Sequence, residues 1–299
     1  MVPVSELFKD KIAEMVKNSK QSQIITPENV YQEANMQNRP TIDEALEKLL
    51  LKGSRIINSE ALEKLYDLSQ EGKSCLILME HYSNFDLPIL HYLLKKEGKK
   101  GEKAADSIIA MAGMKLNETN KFVSAFTEAY SRIVIFPSRS LASVAKDSPE
   151  KLKEAEKRSR TINRAALHSM IRAKHDGNII LVFPSGTRYR PWEPETKKGL
   201  REIDSYIKSF DHMVLIGING NALRINPKGA MNEDLVEKDQ VILTASEIID
   251  CGSFREKARE ACPEGYDPKQ YTVDSVMEKL DKIHEETEKI RQSELKANR

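Results

Sequence analysis

The chain has 299 residues, 39% of them hydrophobic and 31% charged, which is enough length and apolar content for a substantial core and excludes general disorder. Its 47 basic and 46 acidic side chains leave a net charge of +1, so overall charge does not favour binding to nucleic acid. The three cysteines lack CxxC spacing, which argues against a cysteine-rich metal site and favours a reducing compartment.

The hydropathy of the chain gives no sign of a membrane span. The longest apolar runs, Ile179 to Phe183 and Met213 to Ile218, are far shorter than the roughly 18 residues that a spanning helix needs. The first residues, MVPVSELFKDK, lack an apolar signal core and carry acids that a transit peptide avoids. We therefore expect a cytoplasmic protein.

The N-terminal region has a helical pattern. Apolar residues that we expect to pack inward recur there at helical spacing: Leu7, Phe8, Ile12 and Met15. Thr41 and Glu44 have the spacing of a capping box, and Leu46, Leu49 and Leu50 follow it. Because no strong strand signal precedes residue 74, we predict a small helical N-terminal domain over residues 1–70 and a larger domain over 71–299.

The larger domain is predicted to be an α/β fold with a mostly parallel central sheet flanked by helices. Its strands are expected in six apolar runs, CLILM, SIIAMAG, RIVIF, NIILVF, MVLIGI and QVILTA, which helical or loop stretches separate. A long charged helix is predicted from Lys151 to His175. A closing amphipathic helix is indicated by Val273, Val276, Leu280, Ile283 and Ile290.

The first candidate site follows the CLILM strand, where the sequence reads EHYSNFDLP. His81 stands at the end of this strand and Asp86 in the first turn of the next helix. A carboxylate that holds one ring N–H of an imidazole fixes its tautomer, so the other nitrogen can accept a proton. The structural alternative is that Ser83 and Asp86 form a capping box around a structural histidine. The spacing alone leaves both interpretations open.

Arginines follow two further strands. The segment FPSGTRYRP carries Arg188 and Arg190 after the NIILVF strand, and FPSR places Arg139 after the RIVIF strand. Guanidinium groups bind phosphate oxygens bidentately, so these strand ends suit a phosphate monoester. The alternative is that they are solvated surface residues.

With its three motifs in order over residues 74 to about 225, the chain resembles the HxxxxD glycerolipid acyltransferases. HYSNFD resembles the first family block, FPSR the second, and FPSGTR the third, which is usually FPEGTR. Ser185 stands in place of the usual glutamate, and PSGTRYRP looks like the PSGGRDRP form of the soluble plastid-type glycerol-3-phosphate acyltransferases. Ala112-Gly113-Met114-Lys115 resembles the AGDR-like segment of that branch, with Met114 in place of an acidic residue. The fourth block would correspond to LIGING, residues 215–220, without its usual proline.

The resemblance implies a glycerol-3-phosphate 1-O-acyltransferase that needs no cofactor and no metal. His81 would act as general base and Asp86 would orient it, while the phosphate-binding residues would be Arg139, Arg188, Arg190 and Lys115. The LIGING block would either line the acyl pocket or be a core strand.

The implied partners are glycerol 3-phosphate and an acyl donor, either acyl-carrier protein or acyl-CoA, and no nucleic acid. A basic run that could attract an acidic carrier, or simply be a solvated surface, contains Lys95, Lys96, Lys99, Lys100 and Lys103. Peripheral membrane contact stays open. Two alternatives also stay open: a lysophosphatidate acyltransferase, and a non-catalytic protein that binds lipid or carrier.

Overall fold

The six apolar runs form strands of a sheet that is covered on both faces, which is why nearly every side chain in them is buried. The computed structural model describes residues 1–20, 24–118 and 121–297. Its strands are β1 (Val2–Pro3), β2 (Tyr31–Gln32), β3 (Arg55–Ile57), β4 (Cys75–Met79), β5 (Ile108–Gly113), β6 (Arg132–Ile135), β7 (Ile179–Val182), β8 (His212–Asn219), β9 (Leu223–Arg224), β10 (Leu235–Val236), β11 (Ile242–Ala245) and β12 (Ile249–Asp250). The predicted strands correspond to β4, β5, β6, β7, β8 and β11.

A nine-stranded sheet organises the described part of the chain in the order β2-β6-β5-β7-β4-β8-β11-β3, with β12 also paired to β8. Strands β6, β5, β7, β4 and β8 run parallel to one another. Strands β2 and β11 run antiparallel to their neighbours β6 and β8. The mostly parallel α/β sheet predicted from the sequence is therefore confirmed. A smaller antiparallel sheet has the order β1-β10-β9.

Helices cover both faces of the large sheet. Their bounds are α1 (Val4–Leu7), α2 (Lys9–Asn18), α3 (Arg39–Leu49), α4 (Ser59–Gln70), α5 (Asp86–Lys96), α6 (Lys99–Asp106), α7 (Lys115–Glu118), α8 (Lys121–Thr127), α9 (Ser138–Asp147), α10 (Leu152–His175), α11 (Ile203–Ser209), α12 (Cys251–Glu260) and α13 (Pro268–Ala297). Along β4, Ile77 packs in the core on one face and Leu78 in the core on the other. This alternation explains why β4 is apolar throughout.

The N-terminal region differs from its predicted pattern in two places. The first helix is interrupted at Phe8, and Leu7 is 49% exposed although we expected it to pack inward. Helix α3 begins at Arg39 after Asn38, so Thr41 is not its N-cap, and the Glu44 carboxylate instead pairs with Lys11. A proline at the start of α3, Pro40, already supplies the fixed φ angle that a helix start needs.

Three short strands, β1, β2 and β3, precede residue 74, although no strong strand signal was expected there. Strand β2 pairs with β6 over two residues, and β3 pairs in parallel with β11 over three. Such short edge strands are too brief to show a recognisable alternation of apolar residues. The N-terminal region therefore contributes edge strands to the large sheet, and its division from the rest at residue 70 stays a prediction.

Helix α13, the predicted closing helix, is buried along one side, but its buried residues change from apolar to polar towards its C-terminal end. Val273, Val276 and Leu280 are buried as expected, whereas Ile290 is 43% exposed. The buried positions that follow are Thr287, which hydrogen-bonds Thr244, and Arg291, which donates to the Gln240 carbonyl oxygen. Because each of these two polar side chains has a hydrogen-bond partner, it can be buried. A search for apolar residues at helical spacing does not find such positions.

Candidate active site

Four neighbouring parallel strands bring the predicted site residues to one edge of the sheet. Strands β6, β5, β7 and β4 are adjacent, so the loops after them meet at the carboxyl edge, where α/β sheets usually bind ligands. These loops carry, in spatial order, Arg139, Lys115, the two arginines of FPSGTRYRP, and His81.

His81 and Asp86 are in direct contact at the end of β4. The His81 Nδ1 atom lies 2.9 Å from Asp86 Oδ2, the Asp86 side chain is 3% exposed, and that of His81 is 17% exposed. When Nδ1 carries the proton and donates it to the carboxylate, Nε2 presents a lone pair. The pair therefore has the geometry of an oriented general base.

Asp86 also organises the loop that carries the histidine. Its Oδ2 accepts hydrogen bonds from the backbone N–H groups of Tyr82 (2.7 Å) and Ser83 (2.9 Å). The Ser83 hydroxyl donates to Asp86 Oδ1 at 3.0 Å and accepts from the Phe85 N–H at 2.9 Å. Asp86 thus accepts the Ser83 N–H, one of the two bonds of a capping box, and holds the imidazole at once, whereas the Asp86 N–H meets the Ser83 carbonyl oxygen and the N-cap of α5, Phe85, makes no side-chain cap.

The third motif packs directly on the first. The Phe183 ring stacks on the His81 imidazole with centroids 3.9 Å apart and an interplanar angle of 16°. The Tyr189 N–H donates to the His81 carbonyl oxygen at 2.8 Å. These two contacts restrain both the ring plane and the backbone of His81. Within FPSGTRYRP, the buried Ser185 donates its hydroxyl proton to the Thr187 carbonyl oxygen at 2.7 Å and stabilises the turn.

The two arginines of FPSGTRYRP have different surroundings. The Arg188 side chain is 10% exposed and forms an ion pair with Asp234, whose side chain is 1% exposed. Burial raises the pKa of Asp234, although the Arg188 charge and a hydrogen bond from the Asn226 N–H oppose that rise. Arg190 is more open: its side chain is 32% exposed and lies 3.4 Å from Glu193. Arg188 therefore joins the loop to a distant carboxylate, whereas Arg190 faces solvent.

Arg139 and Lys115 follow the other two strands. Arg139 is exposed in the first turn of α9, and Lys115 is exposed at the start of α7. Met114, just before that helix, is buried and packs in the core. Residues 215–219 of the LIGING block lie in β8, where Leu215 and Ile216 are fully buried, so this part of the block is a core strand.

A second histidine lies close to the site and was missed by the sequence analysis. Glu80 is buried at the end of β4 and accepts hydrogen bonds from the Tyr82 hydroxyl (3.0 Å), from the Ile218 N–H (2.8 Å) and from His284 Nδ1 (3.0 Å). His284 lies in α13, 204 positions after Glu80 in the sequence. Its place next to the apolar residue Ile283 was the only sign in the sequence that its side chain turns inward. Pairs so distant in sequence leave no local pattern.

The basic run of five lysines lies at the other edge of the sheet. Helix α5 starts at the carboxyl edge with Asp86 and extends about 16 Å over its 11 residues, so Lys95 and α6 lie near the start of β5. Lys95 pairs with Asp43 and Lys100 with Asp67. This run is thus remote from His81 and partly neutralised.

Among the residues that the structure describes, every helix is too short or too polar to cross a membrane.

No curated protein sequence matches the chain significantly. The family model described as "Acyltransferase" matches residues 55–213, slightly more than half of the chain. The match begins at β3 and contains β4 to β7 with the strand ends described above. The chain therefore belongs to the acyltransferase family, whose members transfer an acyl group to an acceptor of the lipid class.

Proposed function

We propose that this protein is a glycerol-3-phosphate 1-O-acyltransferase. It would transfer a fatty acyl group from a thioester, either acyl-carrier protein or acyl-CoA, to the sn-1 hydroxyl of glycerol 3-phosphate and release lysophosphatidate. The observation that carries the proposal is the 2.9 Å contact between His81 Nδ1 and a buried Asp86 at the carboxyl edge of the sheet. The acceptor is inferred from Ser185 and from the arginines at neighbouring strand ends, which suit a small phosphate monoester.

In the proposed reaction, His81 Nε2 removes the proton of the sn-1 hydroxyl as the oxygen attacks the thioester carbonyl. Asp86 holds the Nδ1–H and stabilises the imidazolium that forms. The tetrahedral intermediate collapses, the new ester bond stays, and the carbon–sulfur bond breaks. The departing thiolate takes the proton from the imidazolium, so His81 returns to its starting state and the products are an ester and a thiol.

The phosphate would be held by the cations that follow the strands on one side of β4. We assign this role to Arg139, Arg188, Arg190 and Lys115, because they follow β6, β7 and β5, the three strands that lie in succession on one side of β4. Arg188 would share its charge between the phosphate and Asp234, and would brace the loop that carries Arg190. A fixed phosphate sets the distance from the sn-1 hydroxyl to His81, and positioning of this kind is a large part of catalysis.

A small apolar pocket beside the first motif would receive a few methylene groups of the acyl chain, because its free volume of about 300 Å³ includes open solvent. It lies between the N-terminal helices and α3, and Phe85, directly before Asp86, is part of its wall. Its lining consists of Val4, Phe8, Lys11, Ile12, Met15, Thr41, Ile42, Ala45, Phe85 and Phe126. A fatty chain in such a lining would leave water, at a gain of about 0.8 kcal/mol for each buried CH₂ group.

The deciding experiment offers the purified protein two acceptors and two donors. Glycerol 3-phosphate and lysophosphatidate are each combined with palmitoyl-acyl carrier protein and palmitoyl-CoA, and His81→Ala serves as the inactive control. We expect turnover of glycerol 3-phosphate without detergent. Turnover of lysophosphatidate alone would identify a lysophosphatidate acyltransferase, and no turnover in any combination would indicate a non-catalytic binding protein.

A further inference from the structure

Helix α10 presents a line of exposed side chains to solvent. Residues at alternating spacings of three and four form one ridge along its outer face, which we call the α10 ridge: Lys157, Arg160, Arg164, Leu167 and Ile171. Leu167 is 51% exposed and Ile171 is 41% exposed. The opposite face, with Ile162, Ala166 and Met170, packs in the core. The exposed apolar residues are therefore not needed to attach the helix to the sheet.

The ridge is strongly basic in a chain that is otherwise balanced. From Lys157 to His175 the sequence has six lysines and arginines and no aspartate or glutamate, although the whole chain has a net charge of only +1. Within residues 1–20, 24–118 and 121–297, the three cations of the ridge form no ion pair. Surface cations elsewhere do, as in the pair between Lys282 and Glu278. Exposed Glu154 and Glu156 precede Lys157 in α10, so the positive charge of the ridge is partly offset at its start and strongest towards Arg164, beside the exposed apolar surface.

The basic half of the ridge lies at the level of the active-site edge. Asn163, next to Arg164, accepts a hydrogen bond from the Phe136 N–H (2.8 Å) and donates one to the Phe136 carbonyl oxygen (3.0 Å). Phe136 directly follows β6, so this part of α10 lies beside the carboxyl end of that strand. Three strand spacings separate β6 from β4, which places the end of β6 about 15 Å sideways from the end of β4, and the ridge lies on the solvent side of the helix that packs there.

That separation selects the kind of ligand that fits. A small acceptor bound on the ridge would lie on the solvent side of α10, with the helix between it and the strand ends that carry Arg139 and His81. A protein with a long flexible arm could dock there and extend a thioester across the strand ends. A carboxylate-rich partner with a few apolar side chains would match the ridge in charge and in hydrophobicity. A helix that lies in a membrane surface normally has a wide apolar face with aromatic residues, and the outer face of α10 offers only Leu167 and Ile171.

We propose that the α10 ridge is the docking surface for an acidic protein that carries the acyl thioester. The inference rests on the acyl transfer proposed above and adds the source of the donor. The partner's carboxylates would pair with Lys157, Arg160 and Arg164, its apolar side chains would cover Leu167 and Ile171, and its arm would reach His81 along the carboxyl edge.

Binding can be measured without turnover, by fluorescence anisotropy with fluorescein-labelled holo-acyl carrier protein. The Arg160→Glu/Arg164→Glu variant should raise the dissociation constant on the order of 10-fold or more, because it replaces attraction with repulsion at an electrostatically guided contact. Lys99→Glu/Lys103→Glu makes the same change in net charge at the opposite edge of the sheet and should leave binding unchanged. Leu167→Ser/Ile171→Ser should also weaken binding, and the weakening should persist at high salt.

Steady-state kinetics separate this inference from the proposed function. In Arg160→Glu/Arg164→Glu, KM should rise for palmitoyl-acyl carrier protein and stay constant for palmitoyl-CoA and glycerol 3-phosphate. Equal weakening by the two charge variants, or binding to phosphatidylglycerol vesicles but not to the carrier, would overturn the docking surface. A wild-type protein that binds the carrier through the ridge but acylates no acceptor would overturn the proposed function alone.

Discussion

His284 donates its Nδ1–H to Glu80, with the nitrogen 3.0 Å from Oε2, and this bond ties the last helix of the chain to the residue directly before His81. Glu80 is buried and also accepts from the Tyr82 hydroxyl, and the Tyr82 N–H in turn donates to Asp86. The pair therefore supports the loop that holds the proposed base. Lys197, which pairs with Asp281, and Glu288 are the other charged groups that influence His284.

The first prediction concerns this pair and pH. Burial lowers the pKa of His284, but the hydrogen bond and charge of Glu80 outweigh it, so the pKa is raised above the ordinary 6.5. The stabilisation by protonated His284 is therefore fully present below pH 6.5 and is lost as the pH rises through the raised value. His284→Gln should destabilise the protein by roughly 1–3 kcal/mol at acidic pH and less at alkaline pH. Urea unfolding at several pH values measures this.

Two further variants test the cause. His168→Gln removes an exposed histidine from α10 and should leave the pH profile unchanged. In a double-mutant cycle with Glu80→Gln, the coupling between Glu80 and His284 should shrink as the pH rises. A pH-independent coupling would show that the pair is held by packing and not by charge.

The second prediction tests the dyad. His81→Ala should retain the fold and lose on the order of 10²-fold or more in kcat, because general-base catalysis is removed. Asp86→Ala should be about as inactive, and the double variant should be little worse, since the two side chains act as one unit. Asp86→Ala should also lower Tm, because Asp86 accepts the N–H groups of Tyr82 and Ser83.

The matched control for Asp86 is Ser83→Ala, which removes the hydroxyl bond to Asp86 Oδ1 and leaves the histidine contact in place. It should lower Tm with much smaller loss of turnover. If His81→Ala turns over at the wild-type rate, the proposed mechanism is wrong. If Asp86→Ala lowers only Tm, Asp86 has a capping role alone.

The third prediction separates the arginines. Arg139→Ala and Arg190→Ala should each raise KM for glycerol 3-phosphate on the order of 10-fold to 100-fold, because each removes a charge-assisted hydrogen bond of roughly 1.5–3 kcal/mol. Lysine at either position should restore binding only in part, because it lacks the planar fork. Tm should stay constant in both alanine variants, since both side chains reach solvent.

Arg188→Ala is expected to behave differently from its neighbours. It should raise KM and also lower stability by roughly 1–3 kcal/mol, because the buried Asp234 loses its partner. Asp234→Asn should recover part of that stability in the Arg188→Ala background. Unchanged acceptor KM in all three arginine variants would exclude them from the phosphate site.

The fourth prediction concerns the apolar pocket. Ile12→Trp fills part of it and should reduce kcat/KM for palmitoyl donors more than for octanoyl donors. Exclusion of two CH₂ groups at about 0.8 kcal/mol each corresponds to a loss on the order of 10-fold. Leu7→Trp is the control, because Leu7 is exposed outside the pocket lining. An identical chain-length profile in the two variants would place the acyl chain elsewhere.

The sequence by itself determined the elements whose residues carry a strong local pattern. The apolar strands were predicted because a strand that is covered on both faces must be apolar throughout, as β4 is. The placement of His81, Asp86, Arg188 and Arg190 after strands followed from the same pattern. The contact between His81 and Asp86 was also within reach of the sequence, because the two residues are only five positions apart.

Only the tertiary structure decided what each polar side chain pairs with. Asp234 lies 46 positions from Arg188 and Glu80 lies 204 positions from His284, and the sheet brings each pair together without any local signal. Edge strands β2 and β3 were missed because they consist of only two and three residues. Their pairing with β6 and β11 makes them strands, and nothing in their own sequence indicates that pairing. The basic ridge of α10 was visible as a charged helix, but its position beside the end of β6 is set by the hydrogen bonds between Asn163 and Phe136. Hydrophobic periodicity reports burial, whereas the partner of a buried charge depends on how distant segments pack.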